Sequence, residues 1–304
     1  MTVRCRSLQS RHTLLRGAPA IVAASLMISA CTVGAGLPTP TGKQHQERPA
    51  GHPAAPRNAK PTTAAPASTA QSSAAASSAP PGTPGRPLAG MIVGIDPGHN
   101  GGNFADPAYI DHQIWNGREW ETCDTTGTET DSGYTEAQYN FNVASYLRAD
   151  LRRDGAKIVM TRTSDNSVGP CVNRRSEIIN HAHANVAIDI HADGAPASGR
   201  GFTVLEPVAD GPDDRVISES QRLGRDVRAA FLAETTMPVS NYDGIDGITP
   251  RDDLAGLNLT TVPKVLIECG NMKNAADARI LTSRHFQQQV ASALETAIIR
   301  FLDR

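Results

Sequence analysis

The sequence predicts an α/β fold, in which a single domain holds a mostly parallel twisted sheet flanked by helices on both faces. Three short apolar runs with strand character lie at residues 91–95, 157–161 and 186–190, and segments with helical periodicity separate them. Strands that alternate with helices in this way form parallel sheets. The chain from residue 89 onward is also long enough for one domain with its own core.

The first strand and the first long helix have clear boundaries. The apolar run at residues 91–95 leads into a tight turn that ends at His99. Thr135 then begins a capping-box arrangement, and apolar residues recur at helical spacing until Gly155 ends the helix. Glu136 therefore lies in the first turn of this helix.

The rest of the domain continues the alternation of strands and helices. The predicted strands lie at residues 157–161, 186–190, 202–208 and 262–267, and the predicted helices at residues 172–183, 216–234 and 290–301. The third strand ends at His191 and the last strand ends at Glu268. Both strand ends thus carry a side chain that can bind a metal or a proton.

Residues 1–30 have the features of an export signal. A basic stretch precedes an apolar run that is shorter than the roughly 20 residues needed to cross a bilayer. The segment 28–31 resembles a bacterial lipobox, whose cysteine, here Cys31, is acylated. An ordinary secretory signal with a chance cysteine is the alternative. We expect an exported protein, lipid-anchored through Cys31 on the outer face of the cytoplasmic membrane, in the periplasm or cell wall.

The composition changes again after the signal. Residues 31–88 are rich in Ala, Pro, Ser, Thr and Gly, so they bury too little apolar surface to fold and are predicted to form a disordered tether. Residues 89–304 form the predicted globular domain. The net charge of −2 gives no sign of a nucleic-acid partner, and we expect a monomer.

Three cysteines lie in the predicted domain. Cys123 and Cys171 occur in polar, turn-rich segments, whereas Cys269 closes an apolar strand and is expected to be a buried thiol. Export permits a disulfide, so we predict a bridge between Cys123 and Cys171. Three free thiols are the alternative.

Four candidate site residues are expected to converge at one edge of the sheet. His99, His191 and Glu268 follow strands, and ligands collect at the carboxyl ends of parallel strands. A helix that returns antiparallel to the strands begins at the same edge, which brings Glu136 to the site. Two histidines and two carboxylates suit a catalytic zinc site, which takes three protein ligands and leaves one position open. The remaining carboxylate can serve as general base and acid.

Each of these residues also has a structural interpretation. A lone histidine at a strand end is more often a structural or surface residue than a ligand. Glu268 closes an apolar run, so it must be paired, bound to metal or perturbed, and a cap or ion pair at the strand end is the alternative. Asp96 is expected to cap the turn or to orient His99.

The motifs around these residues resemble those of the zinc-dependent N-acetylmuramoyl-L-alanine amidases of the amidase_3 type. The segment 94–102 resembles the opening motif of the family, and the segment 190–193 resembles its strand-end motif. The segment 262–270 resembles the final strand with its glutamate. The similarity runs from about residue 91 to the C-terminus, and the N-terminal features resemble those of a lipoprotein of an actinobacterial type.

The resemblance implies a peptidoglycan hydrolase. It assigns His99, Glu136 and His191 to zinc, and it assigns Glu268 to the role of general base and acid. The implied reaction cleaves the amide bond between N-acetylmuramic acid and L-alanine in peptidoglycan or muropeptides. A zinc peptidase that acts on peptidoglycan stem peptides and a non-catalytic wall-binding relative are the alternatives.

The loop between His99 and Glu136 is longer than is usual in the family. It contains Trp115 and Trp120. We expect this loop to form one wall of the substrate cleft, with the tryptophan faces packed on sugar or peptide. The alternative is that both tryptophans cover the edge of the core.

Overall fold

The structure, a computed structural model, describes residues 85–209 and 214–303. The predicted signal peptide, Cys31 and all but the last four residues of the predicted tether lie outside this range. Leu88 is buried, and its backbone N–H donates to the carbonyl oxygen of Asp154 at 3.0 Å. The folded part therefore begins slightly before the predicted boundary at residue 89.

The described chain alternates strands and helices. Its strands are β1 (Ile92–Pro97), β2 (Gln113–Trp115), β3 (Trp120–Thr122), β4 (Lys157–Met160), β5 (Val186–Asp193), β6 (Thr203–Pro207), β7 (Ile248–Arg251) and β8 (Lys264–Asn271). Its helices are α1 (Pro107–Ile110), α2 (Glu136–Arg153), α3 (Val172–His181), α4 (Ile217–Glu234), α5 (Ala255–Asn258), α6 (Ala275–Leu281) and α7 (Arg284–Leu302). No helix within the described ranges is both long and apolar enough to cross a membrane.

Six of the strands form one sheet in the order β4-β1-β5-β8-β6-β7. Strands β4, β1, β5 and β8 are parallel, which confirms the predicted fold class. Strand β6 pairs antiparallel with β8, and β7 pairs parallel with β6. The segment between β5 and β6 contains no helix in this structure. Because a parallel crossover needs a connection of a dozen or more residues, β6 runs in the opposite direction to β5.

The two faces of the sheet have different coverings. Helices α2, α4 and α7 pack on one face, where they bury alternate residues of the strands such as Val93, Ile188 and Ile267. Helices α3 and α5 lie on the other face, where Ile179 packs on Ala187. Alternation with a period of two residues thus separates a large apolar face from a smaller, more polar one.

Helix α2 begins where the sequence predicts. The Thr135 side chain accepts a hydrogen bond from the backbone N–H of Gln138 at 3.3 Å, which caps the helix. The helix ends at Arg153, and Gly155 follows with a φ of 99°. This left-handed conformation favours glycine. Glu136 is the first residue of the helix, so its position is set by the cap.

Two of the predicted strands are longer than expected. Strand β5 continues through Asp193, beyond His191, and β8 continues through Asn271, beyond Glu268. The two residues therefore lie within strands rather than at their ends. A register shift between His191 and Asp193 interrupts the pairing of β5 with β8, so the regular ladder stops near the predicted position.

A small hairpin, made of β2 and β3, projects from the loop between His99 and Glu136. Directly after it, Cys123 is joined to Cys171 by a disulfide, which is the pairing that the sequence predicts. Cys171 is the residue before α3, and Cys269 is a buried free thiol. The disulfide ties the base of the hairpin loop to the start of α3.

Replacing both Cys123 and Cys171 by serine should lower the free energy of unfolding by about 4 kcal/mol in the chain-entropy model. The reason is that the bridge closes a loop with a sequence separation of 48 residues, which restricts the unfolded chain. Urea denaturation of the oxidised domain measures the effect. Reductant should destabilise the wild type and leave the double variant unchanged. Full alkylation of all three described cysteines in unreduced, unfolded protein would show that no bridge forms.

Candidate metal centre

His99 reaches the site from the turn after β1. Its backbone is left-handed, with a φ of 55°, which is uncommon for a residue other than glycine. Gly98 precedes it, and a Cβ atom at that position would lie 2.1 Å from Cε1 of His191. The turn therefore needs glycine at position 98, since any side chain there would displace the second histidine.

Glu136 lies between the two histidines. Its Oε2 atom is 3.2 Å from Nε2 of His99, and its Oε1 atom is 2.8 Å from Nδ1 of His191. The same carboxylate also accepts hydrogen bonds from the backbone N–H groups of Thr128, at 2.9 Å, and Ala192, at 3.3 Å. These contacts orient both carboxylate oxygens toward the histidines.

The three side chains fit a metal ion. One ligand atom each from His99, Glu136 and His191 can be chosen so that all three lie within 4.8 Å of one another. A tetrahedral ion with bonds of roughly 2 Å holds its ligand atoms about 3.3 Å apart, which is close to the observed separations. Two imidazoles and a carboxylate, all largely buried, are a suitable donor set for such an ion. The expected convergence of these residues is thus seen in the structure.

The electrostatics of the three groups reflect their mutual contact. Burial alone would lower the pKa of His99, but the Glu136 carboxylate and a hydrogen bond with Asp124 outweigh it and raise that pKa to about 9. Burial likewise disfavours charged His191, yet Asp189 and Glu136 raise its pKa well above the ordinary value. Without a metal ion this cluster binds protons, so protons and a metal cation compete for the same ligand atoms.

Glu268 lies beside this cluster on the neighbouring strand. It is the register partner of His191 across β5 and β8, so the two side chains project from the same face of the sheet. Its Oε2 atom is buried and has no hydrogen-bond partner among the described residues. An unsatisfied buried carboxylate oxygen is costly, and it marks a group that is available to a ligand or a reacting proton.

The surroundings of Glu268 also perturb its acidity. Burial raises the pKa of this carboxyl; His191 opposes the rise, and the Glu136 and Asp193 carboxylates add to it. The resulting pKa is about 8. A group with such a pKa can both accept and donate a proton near neutral pH.

A cavity of about 360 Å³ opens over these four residues. Its walls include Thr125 and Thr128, which belong to the loop between His99 and Glu136, so this loop does form part of the cavity wall. Trp115 and Trp120 do not line this cavity. They pack edge to face on the hairpin with ring centroids 5.6 Å apart, and they are 47% and 66% exposed. The tryptophans therefore do not cover the edge of the core.

Each histidine contacts a buried carboxylate through the ring nitrogen that points away from Glu136. Asp124 Oδ1 lies 3.1 Å from Nδ1 of His99, and Asp189 Oδ1 lies 3.3 Å from Nε2 of His191. Asp96 was expected to cap the turn or to orient His99, and its carboxylate does neither, because its hydrogen bonds are with Thr161, Arg175 and Lys264. Asp124 contacts the ring instead, because the disulfide-linked segment passes on that side.

Asp96 instead joins two buried cations. Its carboxylate is 3.2 Å from Nη1 of Arg175 and 2.7 Å from Nζ of Lys264. Burial pushes the pKa of Asp96 upward, but Lys264 and Arg175 outweigh this and hold the pKa well below its ordinary value. Lys264, Asp189 and Asp124 were not predicted from the sequence. For Asp189 and Lys264, the available signal was a charged residue next to apolar strand residues.

Comparisons with known proteins show what this chain is similar to. Residues 93–300 match the family model Amidase_3, described as N-acetylmuramoyl-L-alanine amidase. N-acetylmuramoyl-L-alanine amidase Rv3717 of Mycobacterium tuberculosis is 40% identical over 222 residues, covering 71% of this chain and 88% of that protein. The crystal structure of Ami1, an N-acetylmuramyl-L-alanine amidase from Mycobacterium smegmatis, is 39% identical with a TM-score of 0.67, covering 71% and 98% of the two chains. Ami1 from Mycobacterium abscessus is 38% identical with a TM-score of 0.65, covering 71% and 100%.

Glu268→Gln should stabilise the metal-free protein in a pH-dependent way. Because the pKa of Glu268 is raised from 4.5 to about 8, the folded state holds this proton more tightly than the unfolded state. Glu268 therefore lowers the free energy of unfolding by an amount that grows as pH rises from about 4.5 to about 8. The variant should gain less than about 1 kcal/mol over the wild type near pH 5, and at most about 4 kcal/mol at pH 8.

Urea denaturation with a chelator across this pH range measures the difference. Glu119→Gln is a suitable control, because Glu119 is exposed. That variant should follow the wild type at every pH. An equal stability of Glu268→Gln and wild type at pH 8 would contradict the burial of an unsatisfied carboxylate.

Proposed function

This chain belongs to the Amidase_3 family of N-acetylmuramoyl-L-alanine amidases, and on that premise we propose that it hydrolyses the amide bond between N-acetylmuramic acid and L-alanine in peptidoglycan. The observation that carries the proposal is a compact cluster of His99, Glu136 and His191 beside Glu268 on the adjacent strand, whose buried Oε2 atom has no hydrogen-bond partner among the described residues. The cluster supplies the ligands for a metal, and the carboxylate supplies a proton acceptor.

We assign zinc to the cluster. Two imidazoles and one carboxylate are a common ligand set of catalytic zinc sites, which leave a coordination position open. When bound, zinc polarises the scissile carbonyl and lowers the pKa of water. The open cavity above His99 and His191 leaves room for a substrate on the ligand side of the cluster.

Glu268 is assigned the proton transfer. Its carboxylate accepts a proton from the attacking water while the water oxygen bonds to the scissile carbonyl carbon. It then donates that proton to the leaving nitrogen as the carbon–nitrogen bond breaks. The products are the lactyl carboxylic acid on the glycan, which then ionises, and the free amine of L-alanine. A pKa raised by burial suits this double role, since one group must both take and return the proton.

A digest of peptidoglycan by the purified domain tests the reaction. Wild-type protein should release peptides that begin with L-alanine and leave lactyl ends on the glycan, and a chelator should abolish the reaction. Glu268→Gln should fold and retain one zinc, because it removes no ligand, but kcat should fall by roughly 10^2- to 10^4-fold. Mass spectrometry of the products and elemental analysis of the protein provide the measurements.

Glu136→Gln is the matched control, because it makes the same chemical change at a ligand. It should weaken zinc binding, which Glu268→Gln should not. Peptide products with new internal ends would indicate a peptidase instead, and zinc binding without products would indicate a non-catalytic wall-binding protein. Near-normal hydrolysis by Glu268→Gln would remove Glu268 from the mechanism.

The N-terminal segment sets the proposed location. We propose that residues 1–30 direct export, that Cys31 is acylated, and that the following tether lets a monomeric domain reach the cell wall from the outer face of the membrane. In cells that express the full chain, the wild type should partition with membranes, whereas Cys31→Ala should be exported but recovered in the soluble fraction. Membrane partition of the variant equal to wild type would contradict the lipid anchor.

A further inference from the structure

Five charged side chains lie buried on the α3 and α5 face of the sheet, behind the metal centre. They are Asp96, Asp124, Arg175, Asp189 and Lys264, and none is more than 5% exposed. Burial of charged side chains costs free energy of folding even when they are paired. Proteins in which apolar residues replace such pairs are often as stable or more stable. A purely structural role therefore accounts poorly for this buried charge network.

The network has two arms that meet at Asp96. In the first arm, Lys264 Nζ lies 2.7 Å from Asp96 Oδ2 and 3.0 Å from Asp189 Oδ2, and Asp189 Oδ1 faces His191. In the second arm, Arg175 lies 3.2 Å from Asp96 and 3.1 Å from Asp124, which contacts His99. Each histidine is thus linked to a cation through one carboxylate.

The two oxygens of Asp189 have different roles. Oδ2 lies close to Nζ of Lys264. Oδ1 is buried, has no hydrogen-bond partner among the described residues, and forms an ion-pair contact with Nε2 of His191 at 3.3 Å. A carboxylate at this position favours the tautomer of His191 that carries its proton on Nε2. Nδ1, which faces Glu136, then presents its lone pair to a metal.

The charges of the network also match a divalent ion. Three carboxylates and two cations leave a net charge of −1, and Glu136 brings the total to −2. With neutral histidines and a protonated Glu268, this total balances an ion of charge 2+. The cations therefore allow two carboxylates to orient the histidines without an excess of buried negative charge.

We propose that Asp189 and Lys264 are positioning residues that fix the His191 ring with Nδ1 toward the zinc. Lys264 holds Oδ2 of Asp189, so that Oδ1 stays directed at Nε2 of His191. This inference rests on the zinc site proposed above. It goes beyond that site, because it assigns the choice of ligand nitrogen to a buried lysine that contacts neither metal nor substrate.

The decisive variant is Asp189→Asn. An amide has only one oxygen, and Lys264 can only donate hydrogen bonds, so the oxygen should turn toward Lys264. The amide NH2 then faces Nε2 of His191 and favours the wrong tautomer, with the proton on Nδ1. Zinc affinity should fall by roughly 10- to 100-fold, the range expected for a lost partner of a metal-ligating histidine.

Lys264→Met in the Asp189→Asn background should partly restore zinc affinity, because the amide can then rotate and present its oxygen to His191. A residue with only a structural role would not show such a rescue. The measurements are competition with a chelating dye and ¹⁵N spectra of the histidine rings. In zinc-loaded wild type, His191 should carry its proton on Nε2.

Asp277→Asn is the matched control. Asp277 is also fully buried, and it pairs with Arg200 at 3.0 Å and accepts from the backbone of Gly201. Its replacement should lower stability and leave zinc affinity unchanged.

The outcomes separate the two proposals. Failure of the wild type to bind zinc would overturn both. The positioning role alone would be overturned if the wild type binds zinc and Asp189→Asn shows the same zinc affinity and the same histidine spectra. If the double variant does not fold, the ¹⁵N spectra of the Asp189→Asn single variant test the inference. A His191 ring that keeps its proton on Nε2 in that variant would overturn it.

Discussion

The buried carboxylate of Asp96 is the interaction on which the rest of the site depends. It lies near the end of β1 and contacts Arg175 from α3 and Lys264 from β8, so it joins three elements that are distant in the chain. Thr161, which follows β4, donates a further hydrogen bond to it at 2.6 Å. Asp96 cannot shift without leaving a buried cation unpaired, which would cost free energy of folding. This constraint fixes the edge of the sheet where both histidines lie.

The turn after β1 is held by a second set of contacts. Arg162 and Arg175 are both buried, and their guanidinium groups donate to the carbonyl oxygens of Pro97, Gly98 and His99. Arg162 also donates to the carbonyl oxygen of Ala137 at 2.8 Å, which links the turn to the start of α2. His99 and Glu136 are therefore fixed relative to each other by backbone contacts, independently of a metal. Planar guanidinium groups suit this role because each offers five donors in a fixed geometry.

Local signals in the sequence predict the long elements and the four candidate site residues. The predicted ends of strands indicate His99, His191 and Glu268, and a predicted helix cap indicates Glu136. The hairpin of β2 and β3, strand β7 and helices α1, α5 and α6 were missed, because elements of three to seven residues carry too little periodicity to be recognised and form through tertiary contacts. The buried charge network was missed for a different reason, since its partners lie far apart in the chain and become neighbours only in the folded sheet.

The period of two residues along the central strands explains how one sheet holds both a core and a reactive site. In β5, Ile188 and Ile190 face the core under α2, α4 and α7, whereas Asp189 and His191 face the opposite side. In β8, Val265 and Ile267 face the same core, and Glu268, the register partner of His191, faces the site. Insertion of one residue in either strand would exchange the two faces, so that ligands would enter the core and isoleucines would enter the site. The apolar face therefore stabilises the fold and also sets the register that aligns Glu268 with His191.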